Sequence, residues 1–299
     1  MKTLRDWLSL MKFSHSVFAL PFALQGAWLA AGGRPEWRTL GLVVVCAVAA
    51  RSAAMAFNRL VDRRLDAANP RTKNRELPRG ALSVASVVAL TVLSSGVFVL
   101  GAFLLGPLPT KLCLPVLVVL LGYSLVKRVS WAAHLVLGLS LGLAPLGAWI
   151  AVRGTFDGDL LPVLLLAGAV IAWVSGFDLI YACQDAGHDR KVGLHSIPAR
   201  FGEARALVVS RSLHAIALAC LAGMAWRAEL GLIYWAAILI TAGLLIYEQS
   251  LVRADDLSQV NLAFFTLNGW VGVALFIGLV LDMGLLGTQV GPVGAGGLG

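Results

Sequence analysis

Apolar residues gather into nine long runs along the chain, separated by short polar stretches. The run cores lie near 15–32, 38–57, 82–105, 110–125, 131–152, 160–180, 204–225, 230–248 and 262–283. A helix needs ~20 such residues to cross the hydrocarbon of a bilayer, and most of the runs approach that length. Lipid offers no partner to a free backbone N–H or C=O, so a spanning segment must pair its own groups, as a helix does. The ten-residue alternation of apolar and polar positions that marks a membrane barrel is missing. The pattern predicts an all-α, polytopic membrane protein with about nine transmembrane helices around a central cavity. Residues 1–283 are expected to form one transmembrane domain. The Gly-rich segment 284–299 lacks core-forming residues and is expected to be disordered.

Composition sharpens this picture. Of the 299 residues, 59% are hydrophobic and 13% charged, and the mean hydropathy is +0.83. A globular chain carries about a quarter charged residues, so an ordinary soluble domain is excluded. Lys2, Arg5 and Lys12 before the first run imitate a signal peptide, but eight further runs make it a first transmembrane helix. Cys46, Cys113, Cys183 and Cys220 occur singly, with no CxxC pair, which argues against a zinc site or a disulfide framework.

The net charge of +8 is distributed unevenly. Most Lys and Arg fall in the N-terminal segment and in the loops after the even-numbered runs. By the positive-inside rule these face the cytoplasm, so the N-terminus is expected inside a multi-pass protein of the cell (inner) membrane. The basic residues bracket acidic motifs at a membrane surface. Membrane lipids and an anionic substrate are therefore the expected partners, and nucleic acid is not.

Two acidic motifs carry the chemistry. The second run leads into Asn58-Arg59-Leu60-Val61-Asp62-Arg63-Arg64-Leu65-Asp66, where Asn58, Asp62 and Asp66 recur every four residues and share one helix face. Pro70 should end that helix at Asn69. The sixth run leads into Asp178, Tyr181, Asp185 and Asp189, which would again share a face, with Gly187 loosening the last turn. Both even-numbered spans point the same way, so both carboxylate pairs emerge on the cytoplasmic side. Like charges at this spacing repel unless a cation neutralises them. Hard oxygen ligands suit Mg²⁺, which bridges carboxylates to substrate phosphates. Neighbouring Arg and Lys would disfavour a bare cation but fit a metal–diphosphate complex.

These motifs resemble those of the UbiA superfamily of intramembrane aromatic prenyltransferases. Its NxxxDxxxD and DxxxD patterns are present as Asn58/Asp62/Asp66 and Asp185/Asp189. Further matches are Arg71-Thr72 through Arg75, Leu77-Pro78-Arg79-Gly80, Tyr123-Ser124-Leu125-Val126-Lys127-Arg128, Lys191-Val192-Gly193-Leu194-His195-Ser196 and Phe201-Gly202. Tyr181-Ala182 before Asp185 echoes the 4-hydroxybenzoate polyprenyltransferase branch. Arg59 departs from the family pattern, standing where many members have a further Asp, and Glu76 replaces a Pro. Phe-Ala-Leu-Pro at 18–21, Arg75-Glu76-Leu77-Pro78 and Tyr-Ala-Cys-Gln-Asp at 181–185 resemble a sub-branch tied to menaquinone made through futalosine.

The resemblance implies a Mg²⁺-dependent enzyme that transfers a polyprenyl group from polyprenyl diphosphate to a small aromatic acid in quinone biosynthesis. The 4-hydroxybenzoate type is the first reading of the acceptor and 1,4-dihydroxy-6-naphthoate the alternative. By that implication Asp62, Asp66, Asp185 and Asp189 hold the metal, Asn58 assists, and Arg71, Lys127 and Arg128 hold diphosphate oxygens. Tyr181 would line the site. Arg51 and Asp178 lie within the membrane, where ionisable side chains are costly and face a partner or a cavity. Each precedes a motif residue by seven positions, two helical turns. Two readings stand side by side: a buried ion pair tying the second and sixth helices, or groups orienting the acceptor, Arg51 at its carboxylate and Asp178 at its phenol. Asp178 could also remove a proton.

His15, His134, His188, His195 and His214 show no metal-ligand spacing and read as structural. Asn261, Phe264, Phe265 and Asn268 either line a tail tunnel or pack helices. A membrane transporter is the alternative from another class. It leaves four carboxylates clustered at one face, away from the midplane, without a reason.

Overall fold

The computed structural model describes residues 6, 7, 9, 10, 16–262 and 267–285. His15, Phe264, Phe265 and the Gly-rich segment from 286 onward lie outside the described residues. The elements are α1 (Ser16–Ala31), α2 (Trp37–Ala68), α3 (Val84–Leu105), α4 (Pro107–Val126), α5 (Ala133–Arg153) and α6 (Leu161–Ala182). A 3₁₀ turn (Cys183–Asp185) leads to α7 (Ala186–Val192), α8 (Ile197–Phe201), α9 (Glu203–Arg227), α10 (Leu232–Ser250) and α11 (Asn268–Leu285). There is no strand among the described residues. Among them, eight helices are long and apolar enough to cross a membrane, and α1 holds a shorter apolar stretch, Ala19–Ala31. Each of the nine apolar runs thus corresponds to a helix.

The outer faces carry Val92, Leu93, Leu100 and Phe103 on α3, Leu114 and Val118 on α4, Leu239 and Ile246 on α10, and Trp270 and Ile277 on α11, all exposed. So broad an apolar exterior would be unstable in water and suits contact with lipid. Helix α6 is the most buried of the eight spans. It packs against α5 and α9, while α1 touches α2, α5 and α11. Bundle interfaces in lipid depend on close backbone approach. A Cβ on Gly26 would stand 2.3 Å from Pro145 O across the α1–α5 seam, and one on Gly138 would stand 2.5 Å from Ile171 O across the α5–α6 seam.

The bundle has a solid half and a hollow half. Phe22, Trp173, Tyr234 and Leu275 belong to one buried apolar cluster drawn from α1, α5, α6, α9, α10 and α11. A polar chain runs beside it: Trp173 Nε1 donates to Asn268 Oδ1 at 2.7 Å, and Asn268 Nδ2 donates to Glu248 Oε1 at 2.9 Å. Asp282 on α11 accepts from the backbone N–H of Gly231 (2.6 Å), Ile233 (3.1 Å) and Tyr234 (3.2 Å). It thereby satisfies the orphan donors at the start of α10 from a different helix. Asn268 and Trp173 accordingly belong to packing in the solid half. The hollow half, bounded by α1 to α6, contains the cavity described next.

Candidate active site

Helix α2 continues past its apolar run. Residues 58–68 add ~16 Å of helix at 1.5 Å per residue, carrying Asn58, Asp62 and Asp66 outward. It stops at Asn69, which is extended (φ −92°, ψ 120°) ahead of Pro70, as the sequence predicts. The sixth helix behaves differently from expectation. Its break falls at the 3₁₀ turn Cys183–Asp185, and α7 runs straight through Gly187. Asp185 therefore sits on the turn and Asp189 on a separate short helix, so the four residues do not share one uninterrupted helical face. Gly193, in the left-handed region at φ 73°, ends α7. The chain then returns so that His195 N donates to Lys127 O at 2.8 Å, tying the second motif to the end of α4.

A cavity of about 730 Å³ runs from these motifs into the bundle. Its mouth is lined by Asn58, Asp62, Asp66, Arg71, Arg75, Lys127, Tyr181, Asp185 and Asp189. Deeper, Arg51, Tyr123 and Asp178 reach it among apolar groups such as Val43, Phe98, Leu112, Val116 and Leu141. Arg128 stands at the edge, where its Nη2 donates to Val61 O at 2.6 Å and to Asp62 Oδ1 at 3.2 Å.

Each carboxylate has its own partners. Asp62, 2% exposed, accepts from Lys127 Nζ at 2.6 Å and from Asn58 Nδ2 at 3.2 Å, besides Arg128. Asp66 Oδ1 pairs with Arg75 Nη1 at 2.7 Å. Asp185 takes a two-pronged contact from Arg71, whose Nε lies 2.8 Å from Oδ1 and whose Nη2 meets Oδ2, and a hydrogen bond from Asn69 Nδ2 at 3.0 Å. Arg71 Nη1 also donates to Tyr181 OH at 2.6 Å, and its guanidinium stacks 4.8 Å from the Tyr181 ring centre. Burial pulls the Arg71 pKa down, but its hydrogen bonds to Asp185 and Tyr181 and the negative charge of Asp185 outweigh it and hold it above its ordinary value. Asp189 accepts from Ser196 Oγ at 3.0 Å.

The sequence expectation that the four carboxylates gather needs this refinement. They line one mouth, but among the described residues no three acidic, His or Cys side chains form a ready ligand cluster. The basic residues expected to hold diphosphate sit on the carboxylates instead. The donor set nonetheless fits Mg²⁺: all four are hard oxygen ligands, and Asp66 Oδ2 is buried with no hydrogen-bonding partner among the described residues.

Of the two readings of Arg51 and Asp178, the ion pair is not formed. Both line the same cavity, as expected, but Asp178 Oδ2 lies 2.7 Å from His134 Nδ1. Arg51 makes no ion pair among the described residues, and its Nε is unpartnered. Metal-ligand spacing does not single out His134 as the partner of Asp178. The available signal was an ionisable side chain at the start of a span, where burial is costly. Spacing does not single out Arg59 either. It is 4% exposed, lines the cavity, donates from Nη1 to Asn58 Oδ1 at 3.2 Å, and its Nε has no partner among the described residues.

Residues 19–272 match the profile of the UbiA prenyltransferase family. The chain belongs to that family. It is 32% identical over 282 residues to the 4-hydroxybenzoate octaprenyltransferase of Vibrio parahaemolyticus, covering 93% of this chain and 97% of that protein. The 4-hydroxybenzoate octaprenyltransferase of Xanthomonas oryzae is 34% identical over 256 residues, 85% of this chain and 83% of that one. Among solved structures, a UbiA homolog from Aeropyrum pernix K1 superposes with a TM-score of 0.82 at 35% identity, covering 90% of this chain and 98% of that chain. A UbiA homolog from Archaeoglobus fulgidus, bound to GPP and Mg²⁺, shares the fold at a TM-score of 0.70 and 19% identity, covering 92% and 99%. As a UbiA-family protein this chain is a multi-pass membrane enzyme of the prenyltransferase class.

Proposed function

We propose that this UbiA-family enzyme transfers a polyprenyl group from polyprenyl diphosphate to a 4-hydroxybenzoate-type aromatic acid, with Mg²⁺, at the cytoplasmic face of the inner membrane. The observation that carries the reading is the single cavity with an ionic mouth and an apolar interior. The mouth holds both acidic motifs and four cationic side chains, Arg71, Arg75, Lys127 and Arg128, and the interior is lined mostly by apolar residues of α1 to α6. A diphosphate bearing a long hydrocarbon tail has that same division. The relatives named for 4-hydroxybenzoate octaprenyl transfer support the acceptor class.

Mg²⁺, when bound through Asp62, Asp66, Asp185 and Asp189, would neutralise the charge that gathers on the departing diphosphate. The chain's own cations do the same work from the protein side. Arg71, Lys127 and Arg128 are placed to exchange a carboxylate oxygen for a phosphate oxygen, with Tyr181 OH accepting from Arg71 and Asn58 donating to Asp62. Charge accumulates there only as the allylic C–O bond breaks, so preplaced cations favour the transition state over the ground state. The apolar walls keep the prenyl tail out of water. Deeper in the same space Arg51, whose Nε has no partner among the described residues, offers its guanidinium to a carboxylate, and Asp178 offers an oxygen to a phenol. The basic residues around the mouth also favour the anionic cytoplasmic leaflet.

The test is turnover by purified protein with an allylic diphosphate, Mg²⁺ and either 4-hydroxybenzoate or 1,4-dihydroxy-6-naphthoate, with products identified by mass spectrometry. Prenylated 4-hydroxybenzoate, abolished by EDTA and formed with a raised acceptor KM by Arg51→Ala, is the expected result. Product from the naphthoate alone would move the enzyme to the menaquinone branch. No product from either, with diphosphate binding intact, would refute the aromatic-acid acceptor.

A further inference from the structure

One ionisable pair in the hollow half is not accounted for by the diphosphate-binding mouth. Asp178 lies on α6, two helical turns before Asp185, and lines the cavity with its side chain 22% exposed. His134 stands behind it in the first turn of α5, 4% exposed, with Nδ1 2.7 Å from Asp178 Oδ2. The other ring nitrogen, Nε2, is buried with no hydrogen-bonding partner among the described residues. Nδ1 is the ring nitrogen that faces the carboxylate, and in the tautomer with its proton there Asp178 is the acceptor.

The surrounding backbone fixes the ring's position. Ser175 Oγ lies 3.1 Å from His134 O and 2.7 Å from Ile171 O, donating between α5 and α6. Gly138, one turn on, lets the two backbones approach. Asp178 has no ion pair with Arg or Lys among the described residues. Its Oδ1 has no protein partner there either, leaving one carboxylate oxygen for the cavity. Arg51 and Tyr123 reach the same space from α2 and α4.

We propose that His134 is a positioning residue for prenyl transfer. It fixes the orientation of the Asp178 carboxylate, so that the free oxygen binds the acceptor's hydroxyl and takes its proton. The inference rests on the aromatic-acceptor reading above. In the step, the allylic C–O bond breaks with its electron pair going to diphosphate, and the ring carbon ortho to the hydroxyl forms the new C–C bond. The hydroxyl proton passes to Asp178, leaving a dienone. The released diphosphate takes the proton from the substituted ring carbon, and Asp178 returns its proton to oxygen as aromaticity is restored. A carboxylate that rotated freely or bound the hydroxyl at a poor angle would do this less well, and a single N–H from His134 prevents that.

The experiment is steady-state kinetics on the full-length protein with 4-hydroxybenzoate and an allylic diphosphate, comparing His134→Leu, His134→Asn and Asp178→Asn. Diphosphate binding and thermal melting are measured on each variant to establish folding. The expected result is a fall in kcat of about tenfold or more and a raised acceptor KM in His134→Leu, with diphosphate KM within about twofold. His134→Asn, which keeps an N–H near the Nδ1 position, should recover most of the loss, and Asp178→Asn should not. Parental kcat and acceptor KM in His134→Leu overturn the proposal. If His134→Leu does not fold, the Asn pair decides. A His134→Asn variant that binds diphosphate normally yet is as impaired as Asp178→Asn also overturns it. A parent enzyme that prenylates no phenolic acceptor overturns both this inference and the reading on which it rests.

Discussion

Replacing Asp62 by Asn removes one charge while keeping the shape of the side chain, and the structure gives the size of the effect. The carboxylate is 2% exposed and receives Lys127 at 2.6 Å and Arg128 at 3.2 Å. Breaking a fully buried pair by removing one partner costs roughly 3–5 kcal/mol, because the remaining charge is stranded. Here the stranded cations keep water, since Lys127 is 34% and Arg128 39% exposed. The expected loss of stability is therefore about 1–2 kcal/mol, nearer the surface-pair range. For a chain of this size that is a melting shift of roughly 2–3 °C. Turnover should fall by far more, on the order of 10²–10³-fold, because a group that acts on transition-state charge is lost. A double-mutant cycle with Lys127→Met separates the two effects. The stability losses should be less than additive, with a coupling of about 1–2 kcal/mol, while activity is not restored by the second change. The assay is melting of the detergent-solubilised protein alongside prenyl transfer at saturating Mg²⁺. Asp62→Asn with turnover within a few-fold of the parent would refute the placing of the diphosphate at this mouth, whatever its melting temperature.

Two further predictions concern buried residues away from the metal-ligand set. Arg59→Gln should leave the fold intact, since Asn58 keeps a donor, but should weaken allylic diphosphate binding by about tenfold, read by titration calorimetry; unchanged binding would make Arg59 a packing residue only. Asp282→Ala should cost about 2–4 kcal/mol by leaving one buried and two part-buried N–H groups without an acceptor, lowering the melting temperature while surviving protein keeps its KM values; a shift below about 1 °C would contradict that role.

Several of these features were legible in the chain before any coordinates. Side chains three and four apart share a helix face whatever else the fold does, so Asn58, Asp62 and Asp66 could be placed on one stripe and Pro70 read as its end. The nine runs and their polar ends follow from the need to satisfy every backbone group inside lipid. Those constraints act over a few residues and are written in neighbouring positions. Where the helix after α6 would break was less legible, because Gly187 is only weakly unfavourable in a helix, and the break falls instead at Cys183–Asp185, before the return to Lys127.

By itself the sequence determined the membrane class, the helices, the two acidic motifs and the family. The tertiary structure decided the partners. Asp178 meets His134 across 44 residues, Asp62 meets Lys127 across 65, and Asp185 meets Arg71 across 114. Nothing in local periodicity chooses between His134 and Arg51 as the partner of Asp178. That choice depends on how closely α5 approaches α6 at Gly138, and so on packing between distant segments. The same packing leaves one half of the bundle solid and the other hollow, and so places the cavity between the first six helices.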